Sequence, residues 1–410
     1  MSATTSALEP ALEVGLQRHF IGGEFREAIR GGTFETLNPV TNEPIGEAAD
    51  GTAEDVDAAV TAARAAFDDG DWPRLPAAER ARILRQIAGA IREHAEEFVA
   101  LECRDIGMPI SQMRGLAARA AENFDYFASA IEQLHGRSFQ SGSAFLNYTV
   151  HKPAGVAALI MPWNAPLMLS TWRIAPCLAA GDTLVLKPAE WSPLTATRLA
   201  ELIAATDLPA GVFNVVHGFG ETAGAPLAAH RDVQLVCFTG EGATAEKIMA
   251  AGAPTLKRYS FELGGKSPVV VFADADFDRA VDAAVAQIFT LNGQRCTAGS
   301  RLLVERPLYD DLVAAVAERA RHVRVGDPFD PRTELGPLIT AEHHARVCSY
   351  IDAALADGAE LLAGGARPED RPDGNFLAAT VLGGVRPGTR PFDEEIFGPV
   401  LVATPFAGEE

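Results

Sequence analysis

The sequence predicts an α/β fold built as two strand–helix series, a doubly wound domain of the dinucleotide-binding type followed by a second α/β unit. Three observations carry that prediction. Short uninterrupted apolar runs, VAALIM (156–161), TLVLKP (183–188), FNVVHG (213–218) and LVCFTG (235–240), alternate with helix-like segments, as a parallel sheet covered on both faces requires. A second alternation begins at SPVVVF (267–272). The length of 410 residues exceeds what one ordinary core organises, so more than one domain is expected.

The elements follow in order. Residues 1–18 read as a loosely held tail. HFIGGEF and FETLNPVTNEPIGEA read as short strands joined by Gly and Asn-Pro turns. Val56, Val60, Ala63 and Phe67 line one face of a first helix, and Ile83, Leu84, Ile87, Ile91, Phe98 and Leu101 line a second. A third helix covers roughly residues 111–134. Small polar residues and a Tyr/Thr/Val alternation in GRSFQSGSAFLNYTVHK (136–152) suggest a protruding hairpin and a plausible subunit contact. After the four buried strands, DFDRAVDAAVAQIF is a helix that ends at the turn TLNGQRCTAGSR (290–301). SRLLVE is then a strand and PLYDDLVAAVAERARHV another helix.

Composition narrows the function classes. A formal charge of -20 argues against nucleic acid and anionic membrane as partners. The five cysteines are scattered, with no CxxC pair and no Cys/His cluster at metal spacing, so no metal site or disulfide framework is expected and a reducing cytoplasm is. The N-terminus lacks the basic and apolar regions of a signal peptide, and no apolar stretch reaches membrane-span length.

Chemistry concentrates at a few positions. Cys296 lies in a polar, glycine-flanked turn after a helix, where the adjacent Arg295 would hold the thiol below the roughly 8.5 of a free cysteine. Glu262 in FELGGK ends an apolar run between Phe261 and Leu263, either desolvated as a base or paired with a cation. Asn164 in MPWNAP follows a buried strand and offers an amide as an oxyanion donor. Lys187 and Glu190 in LKPAE leave a strand end where a dinucleotide ribose would lie; the carboxylate would repel a 2′-phosphate and favour NAD over NADP. Gly218, Gly220 and Gly240 mark strand-to-helix turns without a full GxGxxG fingerprint.

PWN, LKPAE, FTG, ELGGK, GQRCTAGSR and EEIFGP occur together and in order, and the chain from about residue 19 to 406 resembles the aldehyde dehydrogenase superfamily. That resemblance implies a Rossmann-type NAD-binding domain, in an N-terminal part (1–135) and a Rossmann part (153–262). It also implies a small β oligomerisation hairpin (136–152) and an α/β catalytic domain (263–410), incomplete at its C-terminus. It implies Cys296 as nucleophile, Asn164 as oxyanion donor and Glu262 as the base that activates water. The NAD would be held by Pro162, Trp163, Lys187, Glu190, Gly220, Phe238, Gly240, Leu263, Glu395 and Phe397.

Within the superfamily, LNYTVHKPAGV, STWRIAPCLAAGDTLVLK and FELGGKSPVVVFADAD are most similar to 5-carboxymethyl-2-hydroxymuconate semialdehyde dehydrogenases of aromatic-acid catabolism. Such a small-molecule aldehyde carries carboxylates, for which Arg173 and Arg295 are candidate partners. Two alternatives stay open, a CoA-acylating semialdehyde dehydrogenase and an inactive NAD-binding remnant.

The sequence departs from the pattern at Glu241 and Ala245, where many relatives have Ser and Gly near the bound pyrophosphate. Either Glu241 points outward or it lowers cofactor affinity. The chain also stops soon after EEIFGP, without the strand that joins subunits in homo-oligomeric relatives. It is therefore expected to expose sheet edges and to be less soluble and active than a full-length relative.

Overall fold

A computed structural model describes residues 14–409. Its larger sheet has seven strands in the order Arg258–Leu263, Leu235–Gly240, Val156–Ile160, Thr183–Lys187, Phe213–Val215, His19–Ile21 and Glu24–Arg26. The first five are parallel; the last two form an antiparallel hairpin added at the edge. The reason the predicted strands are uniformly apolar is visible in their alternation. Ala157, Leu159, Leu184 and Leu186 enter a core shared with helices Ala77–Glu93, Ala95–Ile106, Ile110–Ile131 and Pro166–Ala180. Val156, Ala158, Val185 and Val236 enter the opposite core, against helices Ala53–Asp68 and Gly242–Gly252. Both faces are covered, so no polar side is needed.

The second sheet runs Pro268–Val271, Arg301–Glu305, Val400–Phe406, Thr380–Gly383 and Glu360–Ala363, parallel except for the last. The change of sheet falls between Leu263 and Pro268. At its outer edge Val270 and Phe272 are exposed. Segment 136–152 forms an antiparallel hairpin, Ser138–Gln140 against Leu146–Tyr148, which leaves Phe139, Phe145, Leu146, Tyr148 and Val150 open to solvent.

Two expectations need correction. The tail is pinned from residue 14: Gln17 is buried, donates its backbone N–H to Glu47 and accepts from Ala49, and Val14 packs on the core. Residues 1–13 lie outside the described residues. The predicted second helix is two helices, divided at His94, whose backbone leaves the helical region (φ −107°, ψ 20°) while Phe98 and Leu101 stay buried. No helix among the described residues is long and apolar enough to cross a membrane.

Candidate active site

A cleft of about 470 Å³ opens beyond the carboxyl ends of strands Val156–Ile160, Thr183–Lys187 and Leu235–Gly240, where a doubly wound sheet places its ligands. Of the positions predicted to hold a dinucleotide, Pro162, Trp163, Lys187, Glu190, Gly220, Phe238 and Gly240 line it. Lys187 is nearly fully buried and donates to Glu190 Oε2 at 2.8 Å. Gly240 leaves room for the Phe238 ring, which a Cβ would meet at 2.5 Å. Leu263, Glu395 and Phe397 are outside this lining; the last two belong to the loop before the strand Val400–Phe406. Thr244, Lys247, Ile248 and Ala251 also line the cleft and were not anticipated. Their spacing on helix Gly242–Gly252 is that of one helical face, which is the signal that could have found them.

The cleft suits a dinucleotide: apolar walls from Phe238, Ile248, Ala225 and Ala228 lead to the Lys187–Glu190 pair, a donor and an acceptor suited to vicinal hydroxyls. At its other end Glu241 is the exposed N-cap of helix Gly242–Gly252 and makes no capping hydrogen bond. Its charge reaches Glu395, whose carboxyl is pushed up chiefly by burial, with Glu241 adding to the rise. Ala245 is buried in the sheet core.

The thiol loop is built differently. After helix Phe277–Phe289 three successive residues, Leu291, Asn292 and Gly293, adopt left-handed backbone at φ 53°, 56° and 65°. That conformation is unfavourable for Leu and tolerated by Asn and Gly, so the surroundings must enforce it. Asn292 does so from a fully buried position. Its Nδ2 donates to the carbonyls of Gly107 and Pro337, at 3.0 and 2.9 Å, and its Oδ1 accepts from Gly336 N at 2.7 Å. Leu291 N donates to Gln112 Oε1 at 2.6 Å. Gly293 abuts the EEIFGP loop so closely that a Cβ would lie 2.3 Å from the Gly398 carbonyl carbon. Gln294 accepts from Ile339 N with its side chain and from Asn164 Nδ2 with its carbonyl, at 3.0 and 2.9 Å. The Asn164 amide is thereby tied to the chain two residues before Cys296.

Helix Ala95–Ile106 sets the entry to Asn164. Buried Glu102 accepts from Leu167 N at 2.7 Å, capping from outside the helix that starts at Pro166. Asp105 accepts from Leu194 N, at the start of helix Leu194–Ala204, and from Thr36 Oγ1. Burial pushes Glu102 up to about 7 and Asp105 up to about 8.

Cys296 is half-buried, and its thiol is pushed up, not down. Burial is the largest cause; Glu395 and Glu262 add to it, against the backbone N–H groups of Cys296 and Thr297, which favour the thiolate. Arg295 feels the Cys296 charge, but its guanidinium is also engaged by the Gln287 backbone and side-chain oxygens, at 2.8 and 3.1 Å, and its attraction does not offset the rise. Glu262 adopts the paired alternative. Arg173 Nη2 lies 3.3 Å from its Oε1, near enough for an ion pair though not aligned for a hydrogen bond, and Arg173 Nη1 donates to Ser260 Oγ at 3.0 Å. Neither arginine is thus a free cation. Glu395 in turn accepts from Gly265 N at 3.1 Å, and a Cβ on Gly264 would lie 1.8 Å from its Oε2. The glycine pair of ELGGK is what admits this carboxylate.

Phe397 has φ 61°; its ring packs edge-on against Trp163 at 5.4 Å, and its carbonyl is 2.7 Å from His343 Nε2. The predicted residues therefore converge in two groups, one around the cleft and one around the thiol, joined through Trp163–Phe397 and Asn164–Gln294. Among the described residues no group of three or more His, Cys, Asp or Glu is placed to hold a metal ion.

Comparison with known proteins fits this geometry. The model of the aldehyde dehydrogenase family matches residues 25–410. The 5-carboxymethyl-2-hydroxymuconate semialdehyde dehydrogenase of Escherichia coli is 47% identical over 397 residues, 95% of this chain and 83% of that protein. The structure of HpcC from Thermus thermophilus superposes with a TM-score of 0.95 at 51% identity, over 99% of this chain and 79% of that one. The indole-3-acetaldehyde dehydrogenase AldA of P. syringae, solved with NAD+ and IAA, superposes with a TM-score of 0.96 at 39% identity, over 98% of this chain and 82% of that one. The chain belongs to the aldehyde dehydrogenase family, as an oxidoreductase of aldehydes with NAD as its cofactor.

Proposed function

We propose that this enzyme oxidises a carboxylated semialdehyde of aromatic-acid catabolism to the acid, with Cys296 as nucleophile, Asn164 as oxyanion donor and Glu262 as base. The observation that carries the assignment is the Asn164–Gln294 hydrogen bond, which holds an amide donor beside the thiol loop with its second N–H free of that bond. The Cys296 thiol gives its proton to solvent as its sulfur attacks the aldehyde carbon, and the developing oxyanion accepts from Asn164 Nδ2 and a backbone N–H of the loop. NAD, when bound, supplies the hydride acceptor. The Cys296 acyl thioester is then open to water. Glu262, mostly exposed and held by Arg173 at the end of its strand, takes the water's proton as the acid leaves and the thiol is restored. Lys187 and Glu190 orient the adenine ribose, and Glu395 and Phe397 the nicotinamide ribose.

The substrate class rests on likeness to the E. coli enzyme, whose name specifies such a semialdehyde. By the same token we divide the chain into an NAD-binding domain (1–135 and 153–262), a hairpin (136–152) and a catalytic domain (263–410). The exposed aromatic and aliphatic side chains of the hairpin support its use in a homo-oligomer. Five free cysteines accord with a cytoplasmic enzyme. The test is NADH formation with a panel of aliphatic, aromatic and carboxylated aldehydes, with Cys296→Ala as control. Turnover lost in the variant, with NAD affinity kept, supports the assignment. Turnover that survives the substitution, or acyl-CoA as the product when CoA is added, refutes it.

A further inference from the structure

We propose that Arg119 is the specificity-determining cation for the distal carboxylate of the substrate, an assignment that rests on the proposed oxidation of carboxylated semialdehydes. The two arginines proposed from the sequence are engaged, Arg173 with Ser260 and Glu262 and Arg295 with Gln287. A protein of charge -20 repels an anionic substrate at long range, so a local cation is needed to reverse the field where the substrate enters.

Arg119 meets that need by position. Helix Pro166–Ala180 starts directly after Asn164 and buries Leu167, Ser170, Thr171, Ile174 and Ala175. Its remaining face carries Met168, Leu169, Trp172 and Arg173, a partly open stripe that leads away from the reacting end. Trp172 is 46% exposed on that stripe, about 10 Å along the helix axis from its N-cap. The Arg119 guanidinium lies over the Trp172 ring, 5.8 Å from its centroid. Arg119 has no hydrogen bond or ion pair with any described residue, so its donors are free. Its place is fixed one turn along, where Asn123 Nδ2 donates to Met168 O and Thr171 Oγ1, at 3.3 and 3.0 Å, and docks helix Ile110–Ile131 on helix Pro166–Ala180.

A guanidinium within cation–π reach of an indole is held near it while its N–H groups stay available. The indole also presents an apolar edge to a carbon chain. An aldehyde held at Asn164 would direct a carboxylate at the far end of its chain along this stripe toward Arg119.

The experiment compares 6-oxohexanoate with hexanal, which have the same carbon chain with and without the terminal carboxylate, in the wild type, Arg119→Gln and Arg119→Lys. The expected result is a loss of about ten- to a hundredfold in kcat/KM for 6-oxohexanoate in R119Q, carried by KM. Hexanal should change by less than about twofold, and R119K should recover part of the loss. The wild-type preference for 6-oxohexanoate should fade as salt is raised. Equal losses on both aldehydes, or none, would overturn the proposal. Hexanal turnover reports on the dehydrogenase chemistry separately from Arg119. Calorimetric titration with adipate, a dicarboxylate that needs no turnover, decides the point if neither aldehyde reacts: binding that weakens in R119Q supports the proposal, and unchanged or absent binding refutes it.

Discussion

The cleft at the ends of the parallel strands and the loop that carries the thiol are built on opposite principles. The cleft consists of regular strand ends and helix starts, its buried cation is paired with its neighbour three residues away, and its walls are ordinary side chains of the two cores. The thiol loop takes three left-handed residues in a row and is held by groups from residues 107, 112, 164, 336, 337 and 339. On the proposed assignment, binding falls to the regular part of the fold. The proposed nucleophile then sits where strain is imposed by distant contacts, and local strain of this kind persists only when several contacts agree.

If the two regions are separable, Asn164→Ala should lower kcat about 10²- to 10³-fold and leave the NAD dissociation constant within about twofold. Stopped-flow turnover and NAD fluorescence titration on the same preparation check this, and a parallel loss of NAD affinity would break the comparison. Asn292→Ala tests the imposed strain. It strands the Gly107 and Pro337 carbonyls and the Gly336 N–H, and should cost about 3 kcal/mol in urea unfolding. A cost near zero would mean that the left-handed run does not depend on this side chain.

The electrostatics sharpen the contrast. Glu395 and Glu262 both oppose thiolate formation, so removing the first charge while keeping its hydrogen bond from Gly265 should lower the thiol's titration point. Glu395→Gln should then be alkylated at Cys296 by iodoacetamide several-fold faster near pH 8. A slower reaction would mean that the carboxylate positions the thiol more than it repels it.

The smallest effect concerns Glu102, raised from its usual 4.5 to about 7 by burial. A carboxyl raised in the folded state contributes stability that is fully present below pH 4.5 and is lost as pH rises through 7. Glu102→Gln retains an oxygen for Leu167 N and cannot ionise. Its melting temperature should match the wild type at pH 4.5 and exceed it increasingly up to pH 8. A gap of constant size would show that Glu102 is not protonated in the fold.

Legibility in the sequence divides along the same line. The four apolar strands, the amphipathic helices and the LKPAE pair were readable because each depends on neighbours within a few residues. Cys296, Glu262 and Asn164 stood out because each sits in a short polar interruption of a regular pattern. What the sequence concealed depends on separation. Nothing in IGMPI shows that the Gly107 carbonyl will hold Asn292, 185 residues away. Nothing in LECRD shows that Glu102 will cap a helix 65 residues later. The effect of Arg295 was overestimated because a neighbouring cation was weighed without the burial and the Glu395 carboxylate that raise the thiol, and the guanidinium also donates to two oxygens of Gln287.

The strand Val400–Phe406 lies between Arg301–Glu305 and Thr380–Gly383, with parallel neighbours on both sides. During synthesis the strand at 301–305 leaves the ribosome without the partner on that side and waits roughly a hundred residues for it, a long-range pairing that is slow to form. By then every strand of the nucleotide sheet has emerged, the last ending at Leu263. The nascent chain can therefore acquire its cofactor cleft well before Glu395 and the strand after it arrive to complete the surroundings of the thiol. Early NAD capture would give the growing polypeptide a folded, ligand-stabilised platform on which the strands after Leu263 assemble, and would leave the surroundings of the thiol to be completed later.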